Sequence, residues 1–298
     1  MGPQAAEMRQ AVAAFLALLS QRLPDDVEAR LREMAAQETD PLTRTIYESM
    51  FRNQDLARTL GRPSCQDTGI LQFWVKCGTR FPLMEDVEEI LRQASAQASA
   101  DIPLRPNCVE TFDEINTGTN IGTGVPTLWW EPVPRWDGCE IYVYMAGGGC
   151  ALPAYATALM PGEGYGGIAD FVLRRMTDFG VNACPPLLVG VGVAATAETA
   201  AVLSKKALMR PIGSHSENPR AAEMERLLED SINAIGFGPQ GLGGKRSVMG
   251  VHVEHSARHP AALGAAVSVG CWSHRRGHLR FQRDLSCEIL SHKGVALL

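Results

Sequence analysis

Cys65, Gln66 and Asp67 place a thiol, an amide and a carboxyl group side by side in the stretch Ser64–Gly69. A thiolate is a preferred ligand of zinc and of iron–sulfur clusters, and a carboxylate two residues away can transfer protons. Gly69 allows the backbone to turn before Ile70–Val75, whose composition predicts a strand. The stretch is therefore a candidate metal-binding and proton-transfer site. The alternative is an ordinary buried cysteine before a turn.

Three of the eight cysteines share a sequence context. Cys65, Cys184 and Cys271 each lie where a predicted helix or strand meets a turn that contains Gly or Pro, and such loops often gather at one end of a sheet to form a site. Their spacing matches no local zinc or ferredoxin motif. Two interpretations stay open, namely three ligands of one cluster or three buried thiols. A disulfide framework is not expected in a long chain without a secretory signal.

Composition narrows the class of protein. The chain has 298 residues, 45% apolar and 20% charged, with a net charge of −5, values typical of a globular protein. The acidic balance and the lack of a Lys/Arg-rich face argue against nucleic-acid binding and favour a small-molecule or protein partner. No apolar run is long enough to cross a membrane, and the N-terminus lacks the pattern of a signal peptide, so we expect a cytoplasmic location.

The order of the predicted elements indicates a mixed α/β (α+β) fold. Apolar residues recur at helical spacing through about residues 1–62, and residues 101–166 read as strands and loops. We expect sheets flanked by helices after the helical N-terminal portion, with Gly/Pro-rich loops converging on a metal cluster. No internal repeat or clear linker is present, so residues 1–298 are expected to form a single domain with lobes.

Further elements are predicted from local pattern after the first strand. Helices are expected at about 84–98, at Phe171–Phe179, at about 196–209 and at Ala221–Ile235, and strands at Glu140–Met145, at Leu187–Ala195 (ending in a Gly turn) and at Ser247–Glu254.

Several candidate sites have competing interpretations. Gly190–Ala195 fits the G-x-G-x-x-A pattern of a dinucleotide-binding loop. Such a site also needs an acidic residue at the end of a strand, but Glu217, the acidic residue at a suitable distance, lies in a polar loop. This favours the other interpretation, in which the glycines let a strand and a helix pack closely. His255 and His259 would suit a metal on a helix, but Pro260 makes a helix improbable. Arginines such as Arg105 and Arg258 can clamp carboxylates, although most arginines are simply surface residues.

Taken together, the motifs resemble those of the iron–sulfur hydro-lyases of the class I fumarase and L(+)-tartrate dehydratase family. The resemblance runs in order through nearly the whole chain and is strongest to the alpha subunits of two-subunit members, in Asn182–Ala195 and Ser247–Arg276. The motifs are Cys65–Gly69, Leu104–Asn107, Asn116–Gly118, Met145–Cys150, Asn182–Pro186, Ala207–Gly213, Gly238–Gly241 and Gly270–Trp272.

The resemblance implies a [4Fe-4S] cluster that is held by Cys65, Cys184 and Cys271 and leaves one iron open. It also implies that the cluster eases the departure of a substrate hydroxyl group. The remaining site residues that it implies are Asp67 for proton transfer, Arg105 for one substrate carboxylate, Gly148 as a backbone donor, and Gln66 and His259 in contact with substrate.

The resemblance also implies a reaction and a partner. The expected reaction is dehydration of L(+)-tartrate to oxaloacetate and water, with fumarate/malate interconversion as the close alternative and an NAD-dependent oxidoreductase as a weaker one. Single-chain members of the family carry a further C-terminal domain, which this chain lacks. We therefore expect a separate beta subunit to complete the active site, in an α2β2 heterotetramer.

Overall fold

The computed structural model describes residues 2–297 and contains the mixture of helices and sheets that the sequence predicts. No helix among these residues has the length and apolar character that a membrane crossing needs. The α-helices are α1 (Pro3–Gln21), α2 (Asp25–Gln37), α3 (Pro41–Leu60), α4 (Val87–Asp101), α5 (Gly164–Phe179), α6 (Ala197–Ala207) and α7 (Pro219–Ile235). The strands are β1 (Ile70–Gly78), β2 (Val109–Glu110), β3 (Ile115–Asn116), β4 (Thr127–Val133), β5 (Cys139–Ala146), β6 (Tyr155–Leu159), β7 (Leu187–Ala194), β8 (Val248–His255), β9 (Leu263–Gly270), β10 (Arg276–Phe281) and β11 (Cys287–Ile289).

The helical N-terminal portion is confirmed. Helix α1 begins with Pro3, which suits a first helical turn because its missing N–H has no partner there anyway. Helix α3 likewise begins at Pro41, and Gly61 follows its end with a φ of +61°. The predicted apolar stripe of α1 is buried, including Met8, Val12 and Phe15.

The chain divides into two compact units, each built from separate stretches of sequence. The first unit comprises the residues up to Asp25, Arg52–Gly147 and the residues from Arg275 onward, and the second comprises Asp26–Phe51 and Gly148–His274. The expectation of a single domain with lobes stays a prediction.

The first unit is organised around a five-stranded sheet of order β11-β10-β5-β1-β4. Strand β1 is antiparallel to β5 and parallel to β4. Its residues alternate between buried and half-buried, because successive side chains of a strand point to opposite faces. The buried face, with Phe73 and Val75, belongs to the same core as residues of α1 and α4. This sheet places the start of β1, and with it the Asp67 turn, beside the end of β5.

The second unit contains a four-stranded sheet of order β6-β9-β7-β8. Strand β7 lies inside the sheet and is buried over most of its length, which explains its uninterrupted apolar sequence. Leu187, Val189 and Val191 share a core with residues of α5 and α7. A methyl group added at Gly190 or Gly192 would instead meet backbone atoms of α6, so α6 packs on the opposite face.

Two predictions about this unit need correction. Gly190 and Gly192 lie within β7 and not in a turn after it. Because they have no side chains, α6 can pack closely against the strand at these positions. They therefore do not form a dinucleotide-binding loop, whose glycines lie in a turn between strand and helix. Helix α5 also begins at Gly164, earlier than the predicted Phe171, since glycines near its start mask the helical pattern.

Candidate active site

The Asp67 turn is fixed by the close approach of β5. Gly69 has a φ of +80°, and a methyl group on it would lie 2.8 Å from the carbonyl carbons of Met145 and Ala146. Only glycine tolerates both the positive φ and this contact. Ile70 pairs with Ala146 in the sheet, so Asp67 is held near the point where β5 runs into Gly147.

The carboxylate of Asp67 has a defined orientation. Its Oδ1 accepts hydrogen bonds from the Gly69 N–H at 2.9 Å and from Asn107 Nδ2 at 3.2 Å. Asn107 Nδ2 also donates to the Gly69 carbonyl at 3.1 Å. A methyl group added at Gly147 would lie 3.1 Å from Oδ2 of Asp67, so Oδ2 lies against a backbone without a side chain. The two hydrogen bonds to Oδ1 thus fix the orientation of the carboxylate.

A buried arginine supports the same turn. Arg275 is 1% exposed, and its Nη2 donates to the main-chain oxygen of Asp67 at 2.7 Å. Its Nε and Nη1 make no hydrogen bond within residues 2–297. Burial of a cation is costly unless an anion or acceptor compensates for it. The positive charge of Arg275 beside the turn therefore favours an anionic group at this site.

Arg105 and Gln66 are the exposed polar side chains of this site. The carbonyl of Arg105 accepts hydrogen bonds from Thr68 Oγ1 at 3.1 Å and from Asn120 Nδ2 at 3.3 Å, which fix its backbone beside the Asp67 turn. Its side chain is exposed and forms no ion pair or hydrogen bond within residues 2–297. A guanidinium group in this state can bind a carboxylate through two parallel hydrogen bonds.

Cys65 lies on a backbone that two helices hold in place. The N–H of the preceding Ser64 donates to the Ser20 carbonyl at 2.8 Å, and the Ser64 carbonyl accepts from Asn53 Nδ2 at 2.7 Å. Ser20 belongs to α1 and Asn53 to α3. The backbone next to the half-buried thiol of Cys65 is thus held by hydrogen bonds to both helices.

In the second unit, the loops of Cys184 and Cys271 are joined by a hydrogen bond. Cys271 follows the end of β9, and the N–H of Trp272 donates to the Cys184 carbonyl at 3.1 Å. Cys184 is exposed and has the left-handed conformation, with a φ of 53°. Residues with a Cβ adopt this conformation uncommonly, and those that do are enriched at functional sites. The N–H of Gln240 donates to the next carbonyl, that of Pro185, at 2.9 Å.

Gly148 and His259 also belong to the second unit. Gly148 is exposed and begins a short 3₁₀ helix, Gly148–Ala151. His259 lies in an exposed loop after β8, which confirms that no helix carries the histidine pair. Its Nδ1 accepts the Ala261 N–H at 3.1 Å, which leaves Nε2 to carry the proton of the neutral ring and to act as a donor.

The strand that leads to His259 is anchored by a buried carboxylate. Glu225 on α7 is 1% exposed and accepts hydrogen bonds from the N–H groups of Val253 and Ser216 and from Arg210. Burial would raise the pKa of Glu225, but these hydrogen bonds outweigh it and lower the pKa. The ionised Glu225 therefore fixes the C-terminal part of β8, from which the His259 loop departs.

The structure assigns the predicted site residues to the two units. Cys65, Gln66, Asp67 and Arg105 lie in the first unit, and Cys184, Cys271, Gly148 and His259 lie in the second. Within residues 2–297, no group of three His, Cys, Asp or Glu side chains is arranged to hold a metal ion. The three-cysteine ligand set thus stays a prediction.

Three side chains have roles that differ from the sequence interpretation. Asn107 belongs to a motif of the resemblance, but its role in orienting Asp67 was not predicted. Arg275 was missed because no local pattern marks it. Arg258 donates from Nη1 to carbonyls of its own loop, those of His259, Pro260 and Ala262, so it also stabilises the loop.

Comparisons with known proteins identify the family. A family model described as fumarate hydratase (fumerase) matches residues 9–280. L(+)-tartrate dehydratase subunit alpha of Escherichia coli (strain UTI89 / UPEC) is 54% identical over 98% of this chain and 96% of that protein. The protein of the same name from Escherichia coli (strain K12) is 53% identical over the same shares, and the putative one from Methanocaldococcus jannaschii is 33% identical over 88% of this chain and 93% of that protein. The chain belongs to the fumarate hydratase family, and it is a hydro-lyase.

Proposed function

We propose that this chain is the alpha-type subunit of a hydro-lyase that dehydrates L(+)-tartrate to oxaloacetate with the help of a [4Fe-4S] cluster. The observation that carries the substrate assignment is the 54% identity to an L(+)-tartrate dehydratase subunit alpha over 98% of the chain. The family description itself favours a second candidate, interconversion of fumarate and malate.

The chemistry of the donor set fits the cluster. Thiolates hold iron–sulfur clusters, and the proposed ligands Cys65, Cys184 and Cys271 are half-buried or exposed, so a cluster can reach them. Cys77, Cys108, Cys139 and Cys150 are buried by comparison. When bound through three thiolates, the cluster would supply an open iron that acts as a Lewis acid toward the hydroxyl group that leaves.

The protein residues then bind the substrate and move protons. Arg105 binds one substrate carboxylate, and Gly148 offers a backbone N–H to the substrate. The carboxylate of Asp67, oriented through Oδ1, transfers a proton near the hydroxyl group that leaves. Gln66 and His259 donate hydrogen bonds to substrate oxygens, His259 through Nε2. The second proton-transfer group, which we assign to the partner subunit, removes the proton from the neighbouring carbon. As that C–H bond breaks, a C=C bond forms, the C–O bond breaks, and the hydroxyl group leaves as water with the proton from Asp67. The enol that remains rearranges to the ketone of oxaloacetate.

A second subunit would complete this site. A four-carbon dicarboxylate carries two negative charges, whereas the proposed substrate-contacting residues of this chain supply one fixed cation, Arg105. The relatives are named as alpha subunits, which implies a partner subunit. We propose that a beta subunit supplies further cations and a second proton-transfer group, in an α2β2 assembly.

The cytoplasmic location stays a prediction.

Rates on the two substrates test the proposal. The chain, coexpressed with its beta subunit and purified without oxygen, should convert L(+)-tartrate to oxaloacetate with a higher kcat/KM than it shows for malate or fumarate. A site that hydrogen-bonds the second hydroxyl group of tartrate can discriminate strongly against a substrate that lacks it. A clear preference for malate and fumarate would replace the tartrate assignment, and full tartrate activity of the isolated chain would contradict the shared site.

A further inference from the structure

The hairpin Val109–Asn116 carries the most exposed large apolar side chain among the described residues. Phe112 at its tip is 99% exposed, and Ile115 and Val109 are 64% and 48% exposed. Fully burying a phenylalanine side chain is worth roughly 1.5–3 kcal/mol relative to leaving it in water. A ring that is 99% exposed is therefore a strong candidate for contact with another molecule.

The hairpin is ordered despite its exposure. Strands β2 and β3 pair antiparallel, and the N–H of Thr117 donates to the Cys108 carbonyl at 2.9 Å. Glu110 receives the N–H of Thr123 on Oε1 at 2.9 Å, and its carbonyl receives the N–H of Glu114 at 2.8 Å. Phe112 is thus presented on a fixed turn, which lowers the entropy cost of binding it.

The base of the hairpin is connected to the Asp67 turn. Asn116 Nδ2 donates to the Pro106 carbonyl at 2.8 Å, and the adjacent Asn107 donates to Oδ1 of Asp67. Arg105 comes directly before this pair. The hairpin is therefore linked by hydrogen bonds to the segment that carries the proposed carboxylate clamp and orients the proton-transfer group.

The charge around Phe112 indicates what kind of molecule binds. The hairpin itself carries three acidic residues, Glu110, Asp113 and Glu114, and no Lys, Arg or His. Two such hairpins would repel each other across a contact between identical copies. The occupant is better matched by a surface of opposite charge.

We propose that the hairpin Val109–Asn116 docks the partner subunit, with Phe112 as the anchor in an apolar pocket that basic side chains of that subunit surround. This inference rests on the proposed function, because that function requires a partner at the same site. It adds the element that makes the contact and the chemistry of the surface that receives it.

The test measures complex formation by matched variants. Phe112→Ser should raise the Kd for the beta subunit at least about thirtyfold, as expected for an aromatic anchor. The thermal midpoint and iron content of this variant should stay at the wild-type values, because the Phe112 ring is almost fully exposed. Met160→Ser removes a side chain that is 72% exposed in the second unit and should change the Kd less than about twofold.

Charge reversal tests the second half of the proposal. Asp113→Lys should slow association at low salt, and the difference from wild type should shrink as salt screens the charges. Asp170→Lys, at an exposed position on α5, is the matched control and should leave the association rate near the wild-type value.

The outcomes separate this inference from the proposed function. Wild-type complex formation with an unchanged Kd for Phe112→Ser would overturn the hairpin contact and leave the heteromeric hydro-lyase standing. Loss of self-association in Phe112→Ser with intact binding of the beta subunit would assign the hairpin to a contact between copies and also overturn the inference. A wild-type chain that forms no complex would contradict both.

Discussion

At the scale of single residues, the reactivity proposed for Asp67 depends on neighbours that do not react. Oδ1 is held by the Gly69 N–H and by Asn107, and the main-chain oxygen is held by Arg275. Misplacing a catalytic group by about 1 Å can cost on the order of 100-fold in rate. Asn107 is therefore a positioning residue whose chemistry can be tested without removing Asp67.

Asn107→Asp should lower kcat on the order of 100-fold, and Asn107→Ser on the order of tenfold. The serine variant only loses a donor, whereas the aspartate variant puts a second carboxylate beside Oδ1 of Asp67, where like charges repel. The measurement is steady-state kinetics of the complex across pH, and the pH profile of the aspartate variant should shift because two carboxylates now share a proton.

The same substitution at a distant asparagine provides the control. Asn218 caps the N-terminus of α7 by accepting hydrogen bonds from Arg220 and Ala221, a role that aspartate fills equally well. Asn218→Asp should leave kcat and its pH profile unchanged. If Asn107→Asp and Asn218→Asp lose kcat equally, or if Asn107→Asp keeps wild-type kinetics, then Asn107 does not position Asp67.

At the scale of elements, the contact between β7 and α6 decides how the glycine pattern is interpreted. A methyl group on Gly192 would overlap the carbonyl oxygen of Ala200, and one on Gly190 would overlap that of Ser204. Backbone atoms cannot move aside as a flexible side chain can. The two glycines are thus required by packing, which leaves no function for them in nucleotide binding.

Gly192→Ala should destabilise the protein by about 3 kcal/mol, because the strand and the helix must separate to admit the methyl group. Urea unfolding of the purified chain measures this free energy. Gly250→Ala on β8 is the control, since its methyl group would meet only Leu188 Cδ1, at 3.7 Å, and should cost much less. Wild-type stability of Gly192→Ala together with weaker saturable NAD(H) binding would restore the dinucleotide interpretation.

Local pattern was sufficient to predict the α-helices and four of the strands, β1, β5, β7 and β8. The three N-terminal helices, β1, β5 and β8 follow from apolar spacing and from Gly and Pro at the boundaries. Gly190 and Gly192 were assigned to a turn because glycine is equally typical of turns and of close packing. Only the position of α6 against β7 separates the two cases, and no pattern within a short window contains that information.

The candidate site shows the same limit at the scale of the whole molecule. Asp67 was predicted because its neighbours in sequence carry the relevant chemistry. Arg275 contacts it from 208 positions later in the chain, and Asn107 from 40 positions later. The Arg275 contact arises from the antiparallel pairing of β5 with β1 and β10, and the Asn107 contact comes from the loop between α4 and β2. Both are properties of the folded chain, so one sequence alone does not reveal them.

The proposed activity requires a [4Fe-4S] cluster held by Cys65, Cys184 and Cys271. Cys287 offers a matched control, because it is also exposed but lies on β11 and is not a proposed ligand. Serine is close to cysteine in size but is a poor ligand for the iron of such clusters, which thiolates hold.

The most direct test is the iron and acid-labile sulfide content of the complex, purified without oxygen, as wild type and as four single Cys→Ser variants. Wild type and Cys287→Ser should each contain about four iron and four sulfide ions per alpha chain and show the spectrum of a [4Fe-4S] cluster. Cys65→Ser, Cys184→Ser and Cys271→Ser should each lose most of both. A wild-type complex without iron and sulfide, or full content in any of these three variants, would contradict the account.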